Sequence, residues 1–201
     1  WQPEKSVTSP VSLIISAFAP VPDVCDTLTP ELVNLPGSII LLLDLGGEKH
    51  RMGGSILAQC YGQIGNEAPD LDEPARLCAF FDFIRRRQSE ILAYHDCSDG
   101  GLMVALLEMS FSSRCGLDID LPGDTLAIEY LFNEELGAAI QVAVEDREAL
   151  IEDLNGLGIP VARVASVRGD QVIRVCRAGQ ELLVSSRAEL ERQWSRTSYQ
   201  I

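Results

Sequence analysis

The sequence has no long hydrophobic run and little positive charge. Of its 201 residues, 16 are Lys or Arg and 30 are Asp or Glu, so the formal net charge at pH 7 is −14. The longest apolar run, around residues 38–43, has only the length of a β-strand, and we expect no membrane span. A chain this acidic repels phosphate backbones, which argues against nucleic acid as a partner. No secretory signal is visible, and we expect a cytoplasmic protein.

The spacing of cysteine and histidine argues against a zinc finger, a disulfide-rich protein and a hydrolase. The six cysteines show no CxxC or metal-finger spacing, and a disulfide framework is not expected at this length. Most of them lie within apolar runs, so we predict reduced, buried thiols. His50 and His95 have no Ser–Asp pattern nearby, which argues against a hydrolase triad.

Hydrophobic periodicity predicts alternating strands and helices. Strands are predicted over residues 11–18, 38–45, 116–121, 138–144, 161–167, 171–175 and 181–185. Helices are predicted over residues 55–64, 73–91, 102–111, 126–136, 146–155 and 188–194. The pair 161–167 and 171–175 is expected to form a hairpin around the Arg-Gly-Asp tripeptide at 168–170, which we interpret as a turn and not as an adhesion motif. The mixture predicts an α+β fold with three α/β/α layers and a mixed sheet.

The strongest candidate site is the segment Tyr94–Leu102, in which two carboxylates, a hydroxyl and a glycine pair precede an apolar helix. The N-terminus of that helix could hold a phosphate oxygen. Asp96 lies just outside it and could bind Mg²⁺ together with substrate phosphate. Ser98 or Asp99 could cap the helix. The alternative is a capped turn in which Asp and Gly serve geometry alone, and the residues by themselves leave both interpretations open.

Two further segments carry charge in unusual places. The glycine-bounded loop Gly46–Gly54 contains Lys49, His50 and Arg51, and it is either an anion-contacting loop or a solvated connection. Glu134 and Glu135 lie at the end of the helix predicted over residues 126–136, where carboxylates oppose the helix dipole. They either contact a metal or partner, or they form a solvated pair.

Several motifs in fixed order carry a resemblance to a known family. They are Ser9–Pro20, Leu28–Leu32, Leu42–Gly46, Gly53–Gln59, Ala93–Leu102 and Leu131–Gly137. In this order they closely resemble phosphoribosylformylglycinamidine synthase of the large, single-chain type, a family of purine biosynthesis. The resemblance extends over essentially the whole chain.

The resemblance implies a domain organisation. Residues 1–26 resemble the end of an AIR-synthetase N-terminal-like subdomain, and residues 27–194 resemble an AIR-synthetase C-terminal-like domain. Residues 195–201 resemble the start of a connection to a glutaminase region that lies beyond Ile201. Because the first residue is Trp1 and an apolar segment follows within ten residues, we expect a segment of a longer chain.

The resemblance also implies a function. The family is a ligase that uses ATP and glutamine to convert formylglycinamide ribonucleotide to formylglycinamidine ribonucleotide. Asp96 matches a magnesium ligand of the family and Ser98 matches an ATP-contacting position, whereas Cys97 stands where relatives often carry Arg. The implied cofactors are Mg²⁺ and ATP. No catalytic residue is assigned, and the segment is expected to be inactive alone.

The implied partners are ATP or ADP, the ribonucleotide substrate and the rest of the same chain, including the glutaminase domain. Self-association through the predicted strand at 11–18 is also expected. Two alternatives stay open: a domain that holds a structural nucleotide, and another ATP-dependent member of the superfamily, such as selenophosphate synthetase or thiamine-monophosphate kinase. The motifs Leu131–Gly137 and Leu28–Leu32 argue against those two enzymes.

Overall fold

The computed structural model describes residues 14–35, 37–123 and 125–199. The strands are β1 (Ile39–Asp44), β2 (Ile91–Asp96), β3 (Gly116–Leu121), β4 (Gly137–Val142), β5 (Val161–Arg168), β6 (Val172–Arg177) and β7 (Gln180–Ser186). The helices are α1 (Ile56–Cys60), α2 (Pro74–Arg86), α3 (Gly101–Ser113), α4 (Ala127–Phe132), α5 (Arg147–Gly156) and α6 (Arg187–Tyr199). A 3₁₀ turn over Gln88–Glu90 connects α2 to β2.

The seven strands form one mixed sheet in the order β2-β4-β1-β5-β3-β6-β7. The pairing is antiparallel throughout except between β3 and β6, which are parallel. The predicted α+β class and mixed sheet are therefore confirmed.

Two hydrophobic clusters, one on each face of the sheet, produce the three layers. Along β1, Ile40 packs into the cluster shared with Leu106 of α3, whereas Leu41 packs into the cluster shared with Phe83 of α2 and Leu154 of α5. Successive side chains of a strand point to opposite faces, so a continuous apolar run is expected where both faces are covered. The run predicted over residues 38–45 is β1 and has this role.

The described part of the predicted strand at 11–18 is not a strand. Residues 1–13 lie outside the described residues, and residues 14–20 have no regular secondary structure. The side chains of Ile14 and Phe18 are 91% and 95% exposed. An apolar pattern becomes a strand only when a partner strand accepts its hydrogen bonds, and none of the described strands pairs with residues 14–18.

The predicted hairpin between β5 and β6 is also wrong, because β3 lies between them. The connection crosses over the start of β3 at Gly116, where an added Cβ would lie 2.4 Å from the carbonyl oxygen of Val172. A glycine makes this crossing possible. Arg168 donates to both carboxylate oxygens of Asp118 (2.9 and 2.8 Å) and to those of Asp170 (2.8 and 2.6 Å), so the Arg-Gly-Asp tripeptide is an internally paired connection.

Helix lengths and thiol burial also differ from expectation. The helix predicted over 126–136 ends at Phe132, because the Asn133 side chain donates to the carbonyl oxygens of Glu129 and Tyr130 and its backbone becomes extended. All six cysteines are free, as predicted. The predicted burial is wrong for three exposed thiols, those of Cys25, Cys60 and Cys78. Within the described ranges, no helix is both long and apolar enough to cross a membrane.

Candidate functional site

Strand register brings two carboxylates, each at the end of a strand, to the same end of the sheet. Asp44, the last residue of β1, pairs with Gly137, and Asp96, the last residue of β2, pairs with Ala138. Both strands run antiparallel to β4, so their carboxyl ends flank the start of that strand. At about 4.8 Å per strand, the two backbones lie roughly 10 Å apart. The sequence indicated Asp96 as a site residue, but it did not predict that Asp44 lies on the other side of β4.

The turn after β2 holds Asp96 and Ser98 together. The Ser98 hydroxyl donates to Oδ2 of Asp96 at 2.9 Å, and the Gly101 amide donates to the Ser98 carbonyl at 2.9 Å. The Asp96 side chain is 63% exposed, so its carboxylate is accessible to a ligand. The predicted pair is thus placed in direct contact, on the solvent side of the turn.

The start of α3 differs from the sequence interpretation. Its N-cap is Gly100, with φ = 84°, and no side chain caps it, so the predicted capping by Ser98 or Asp99 is wrong. The Gly100 amide instead donates to Oε1 of Glu134 at 2.8 Å, and the same oxygen accepts the Ile56 amide at 2.9 Å. A backbone donor that we expected to be open to phosphate is therefore occupied by a carboxylate of the chain itself.

Gly101 permits this arrangement by close approach. It has φ = 65°, and a Cβ added to it would lie 2.2 Å from the carbonyl oxygen of Asn133 and 2.9 Å from that of Leu131. No side chain fits between the start of α3 and the end of α4. The glycine pair therefore serves packing as well as the turn.

The charged loop and the Glu pair form one internal network. Arg51 donates through Nε and Nη2 to the two carboxylate oxygens of Glu135 (2.6 and 2.8 Å), whose side chain is only 4% exposed. Arg51 also contacts Asp72, and Lys49 lies 3.1 Å from the same carboxylate. The hydrogen bond from Lys49, followed by the charge of Arg51, lowers the pKa of Asp72.

This network answers both questions raised by the sequence. The cations of the loop are paired within the chain, and Glu135 is neither solvated nor open to a metal. The conflict between two carboxylates and a helix dipole was the available signal, because it marked Glu134 and Glu135 as residues with other partners.

Burial governs the groups next to Asp96. Burial, with smaller contributions from Asp96 and Asp44, raises the pKa of Cys97 to about 12. Burial, followed by the charge of Asp96, also raises the pKa of Tyr94 to about 12. Both groups therefore stay protonated at neutral pH.

The carboxylate of Glu108 connects the end of β2 to two helices. Glu108 of α3 lies 2.9 Å from Nε2 of His95 through one oxygen and accepts the Trp194 indole N–H at 3.0 Å through the other. The bridge joins β2, α3 and α6. The sequence interpretation missed it, since nothing in the local spacing connects residues 95, 108 and 194.

The donor set at Asp96 can be compared with what Mg²⁺ requires. Among the described residues, no group of three or more His, Cys, Asp or Glu side chains is placed to hold a metal. Mg²⁺ commonly takes only one or two protein carboxylates and completes its octahedron with water and phosphate oxygens. Asp96, exposed and oriented by Ser98, fits as one such ligand.

A mixed sheet between two helical layers, with a glycine-paired turn leading from an acidic strand end into a buried helix, defines an AIR-synthase-like C-terminal domain. Residues 36–176 match the family model described as AIR synthase related protein, C-terminal domain. This match spans well over half of the chain, and the protein belongs to that family.

Solved structures share the fold. Thermotoga maritima PurL complexed with ATP superposes with a TM-score of 0.63 at 16% identity, covering 82% of this chain and 27% of that chain. The same enzyme complexed with FGAR gives a TM-score of 0.62 at 15% identity, covering 83% and 30%. Escherichia coli HypE, a hydrogenase maturation protein, gives 0.55 at 19% identity, covering 80% and 52%. The chain thus spans less than a third of PurL and about half of HypE, and identities this low show a common fold.

Proposed function

We propose that this chain is the AIR-synthetase C-terminal-like domain in the second half of a large, single-chain phosphoribosylformylglycinamidine synthase. In this role Asp96 binds Mg²⁺ and Ser98 contacts ATP. The observation that carries the proposal is the turn itself: an exposed carboxylate, hydrogen-bonded to a neighbouring hydroxyl, at the junction between β2 and the buried helix α3. The nucleotide and FGAR complexes of Thermotoga maritima PurL support it, because they have the same fold.

The residues of the turn have separate tasks in this proposal. A bound Mg²⁺ supplies charge neutralisation to phosphate oxygens. The Asp96 carboxylate holds that ion, and the Ser98 hydroxyl orients one carboxylate oxygen at 2.9 Å. Glu134 keeps the turn close to α1 by accepting the amides of Gly100 and Ile56.

The wider assignments are part of the same proposal. They are the domain limits 27–194 with flanking segments 1–26 and 195–201, a glutaminase region elsewhere in the same polypeptide, and a cytoplasmic location. Helix α6 runs through Tyr199, so the proposed flanking segment 195–201 begins within that helix. We expect the 201-residue chain to have no synthase activity alone.

The choice among members of the superfamily depends on motifs and not on fold, since HypE shares the fold as well. The segment Leu131–Gly137 carries much of this choice. In the structure it supplies Glu134 and Glu135, which contact the Ser98–Gly101 turn and the Gly46–Gly54 loop. The resemblance of this segment to the synthase motif is what favours the synthase over its relatives.

Substitution of Asp96 in the intact synthase tests the proposal. Asp96→Asn keeps the shape but removes the charge that Mg²⁺ requires, and we expect Mg²⁺-dependent ADP affinity, measured by calorimetry, to fall at least about tenfold. Ser98→Ala should give a smaller loss, because the carboxylate remains. The matched control is Asp99→Asn, which alters an exposed neighbour in the same turn and should leave the affinity unchanged.

An Asp96→Asn enzyme with unchanged ADP affinity and unchanged Mg²⁺ dependence would show that the turn is structural. The exchange rate of bound nucleotide distinguishes a catalytic nucleotide site from the remaining alternative, a structural nucleotide. Nucleotide that exchanges during turnover supports a catalytic site, whereas nucleotide that stays bound through many turnovers indicates a structural one.

A further inference from the structure

The end of β2 that carries Asp96 has a neighbouring strand on one side only. β2 is an edge strand of the described sheet, next to β4. On its outer side, the Thr29 carbonyl oxygen accepts the Tyr94 amide at 2.8 Å, two residues before Asp96. On its inner side, the Cys97 amide donates to the Gly137 carbonyl oxygen at 2.9 Å. The end of an edge strand opens easily, so a carboxylate there keeps one direction only if further groups hold the backbone.

The ring of His95 holds the peptide group that follows Asp96. Its Nδ1 lies 2.7 Å from the Asp96 carbonyl oxygen. A carbonyl oxygen can only accept a hydrogen bond, so Nδ1 is the donor. The His95 side chain is largely buried, which limits the positions open to the ring. The ring therefore fixes the plane of the peptide between Asp96 and Cys97, next to the carbon atom from which the Asp96 carboxylate projects.

Glu108 holds that ring from α3 and connects it to α6. One carboxylate oxygen of Glu108 lies 2.9 Å from Nε2 of His95, and the other accepts the indole N–H of Trp194 at 3.0 Å. The Trp194 ring also packs on Phe111, one turn further along α3, with ring centroids 5.7 Å apart. Three hydrogen bonds in sequence therefore lead from α6 to the backbone of Asp96.

Direction, and not burial, is what these contacts have in common. Trp194 is 55% exposed and the Glu108 side chain is partly exposed, so little apolar surface is removed from water at their contact. Each hydrogen bond instead sets the orientation of the next planar group, from the indole to the carboxylate, the imidazole and the peptide. Supporting groups of this kind orient functional side chains in binding sites.

We propose that Glu108 is a positioning residue for Asp96, and that through Trp194 it makes α6 part of the metal site. The proposal rests on the metal role of Asp96 stated above. Groups that orient a metal ligand typically change metal affinity about 10- to 100-fold when they are removed. Glu108 acts through His95 and does not itself contact the metal.

Three substitutions distinguish the hydrogen bonds of Glu108 from its charge. Glu108→Gln can keep both contacts, because its amide nitrogen can donate to Nε2 of His95 while its amide oxygen accepts the indole N–H. Glu108→Ala removes both contacts. Trp194→Phe keeps an aromatic ring on α6 and removes only the indole hydrogen bond. The matched control is Glu189→Gln, which removes an ion-paired carboxylate elsewhere on α6.

Amide hydrogen exchange of the 201-residue chain, measured without metal or nucleotide, reports the order of the turn. The amides of Cys97 and Gly101 are hydrogen-bonded at its two ends. In Glu108→Ala and Trp194→Phe they should exchange several-fold faster relative to the amides of β1. Glu108→Gln and the Glu189 control should leave this ratio unchanged. A residue that only stabilised the domain would accelerate the turn and β1 together.

The same variants of the intact synthase connect the turn to binding. Glu108→Ala should weaken Mg²⁺-dependent ADP affinity about tenfold in calorimetry, Trp194→Phe should weaken it less, and Glu108→Gln should retain it.

Several results would overturn the inference. They are an unchanged exchange ratio in Glu108→Ala or in Trp194→Phe, a Glu108→Gln variant as disturbed as Glu108→Ala, and full ADP affinity in Glu108→Ala when Asp96→Asn has lost it. Unchanged affinity in Asp96→Asn would instead refute the metal role. The exchange ratios would then still decide whether Glu108 positions the turn, because they are measured without metal.

Discussion

Three Gly→Ala substitutions distinguish the cost of backbone strain from the cost of a steric clash. Only one of them, at Gly101, lies at the candidate site. Gly156 ends α5 with an ordinary backbone and open space around it, and Gly158 has φ = 67° with equally open space. Gly101 has φ = 65° and would place its new Cβ 2.2 Å from the Asn133 carbonyl oxygen. The three positions therefore represent no strain, strain alone, and strain with a clash.

The expected free energies of unfolding follow from these differences. Gly156→Ala should stabilise the protein by up to about 1 kcal/mol, because alanine has less freedom than glycine in the unfolded chain. At Gly158 the same gain is outweighed by a left-handed cost of about 1–2 kcal/mol, which leaves a net loss of about 1 kcal/mol. At Gly101 the displaced backbone adds about 1–3 kcal/mol, for a net loss of about 2–4 kcal/mol.

Urea unfolding monitored by circular dichroism measures the series. With a slope of about 2 kcal/mol per molar urea, the midpoint should fall by about 0.5 M for Gly158→Ala and by about 1–2 M for Gly101→Ala. Equal midpoints for these two variants would refute the close contact between α3 and α4. Because that contact supports the turn that carries Asp96, Gly101→Ala should also weaken Mg²⁺-dependent nucleotide binding in the intact synthase.

Three further predictions concern reactivity, acid and assembly. Because burial raises the pKa of Cys97 to about 12, this thiol should react slowly with a disulfide reagent at mildly alkaline pH. The exposed thiols of Cys25, Cys60 and Cys78 should react fast in the native protein. Equally fast reaction of Cys97 or of the buried Cys115 would contradict the structure. The hydrogen bond from Arg168 lowers the pKa of Asp170 to about 2 from an ordinary 3.8, so its contribution to stability is present at neutral pH and is lost as the pH falls through that interval. Asp170→Asn should therefore lose less stability than the parent chain between neutral pH and about pH 3, measured as urea midpoints, and equal losses would count against the pairing. Ile14 and Phe18 are 91% and 95% exposed, so replacing both with Ser should reduce self-association of the chain, measured by light scattering. If the parent chain is itself monomeric at high concentration, the prediction of self-association is wrong.

Local patterns were sufficient for most of the helices and strands. The uniformly apolar segment located α3, and the unbroken apolar run located β1. The 3,4-spacing of apolar residues located α2, but the helix predicted over 73–91 ends at Arg86, and Ile91 is the first residue of β2, a strand that the pattern did not predict. These features depend on side chains that are close along the chain, and burial on one or both faces leaves a periodic trace in the sequence. The turn with Asp96 and Ser98 was accessible for the same reason, since its residues are consecutive.

Tertiary structure alone decided which distant groups meet. The apolar pattern at residues 14–18 predicted a strand that has no partner among the described strands, and the short connection after β5 predicted a hairpin that β3 separates. Glu134 reaches the amides of Ile56 and Gly100, and Glu135 is buried against Arg51. Strand pairing and buried ion pairs depend on which surfaces come together when the layers pack, and the energy of such contacts leaves no periodic signal in either of the segments that form them.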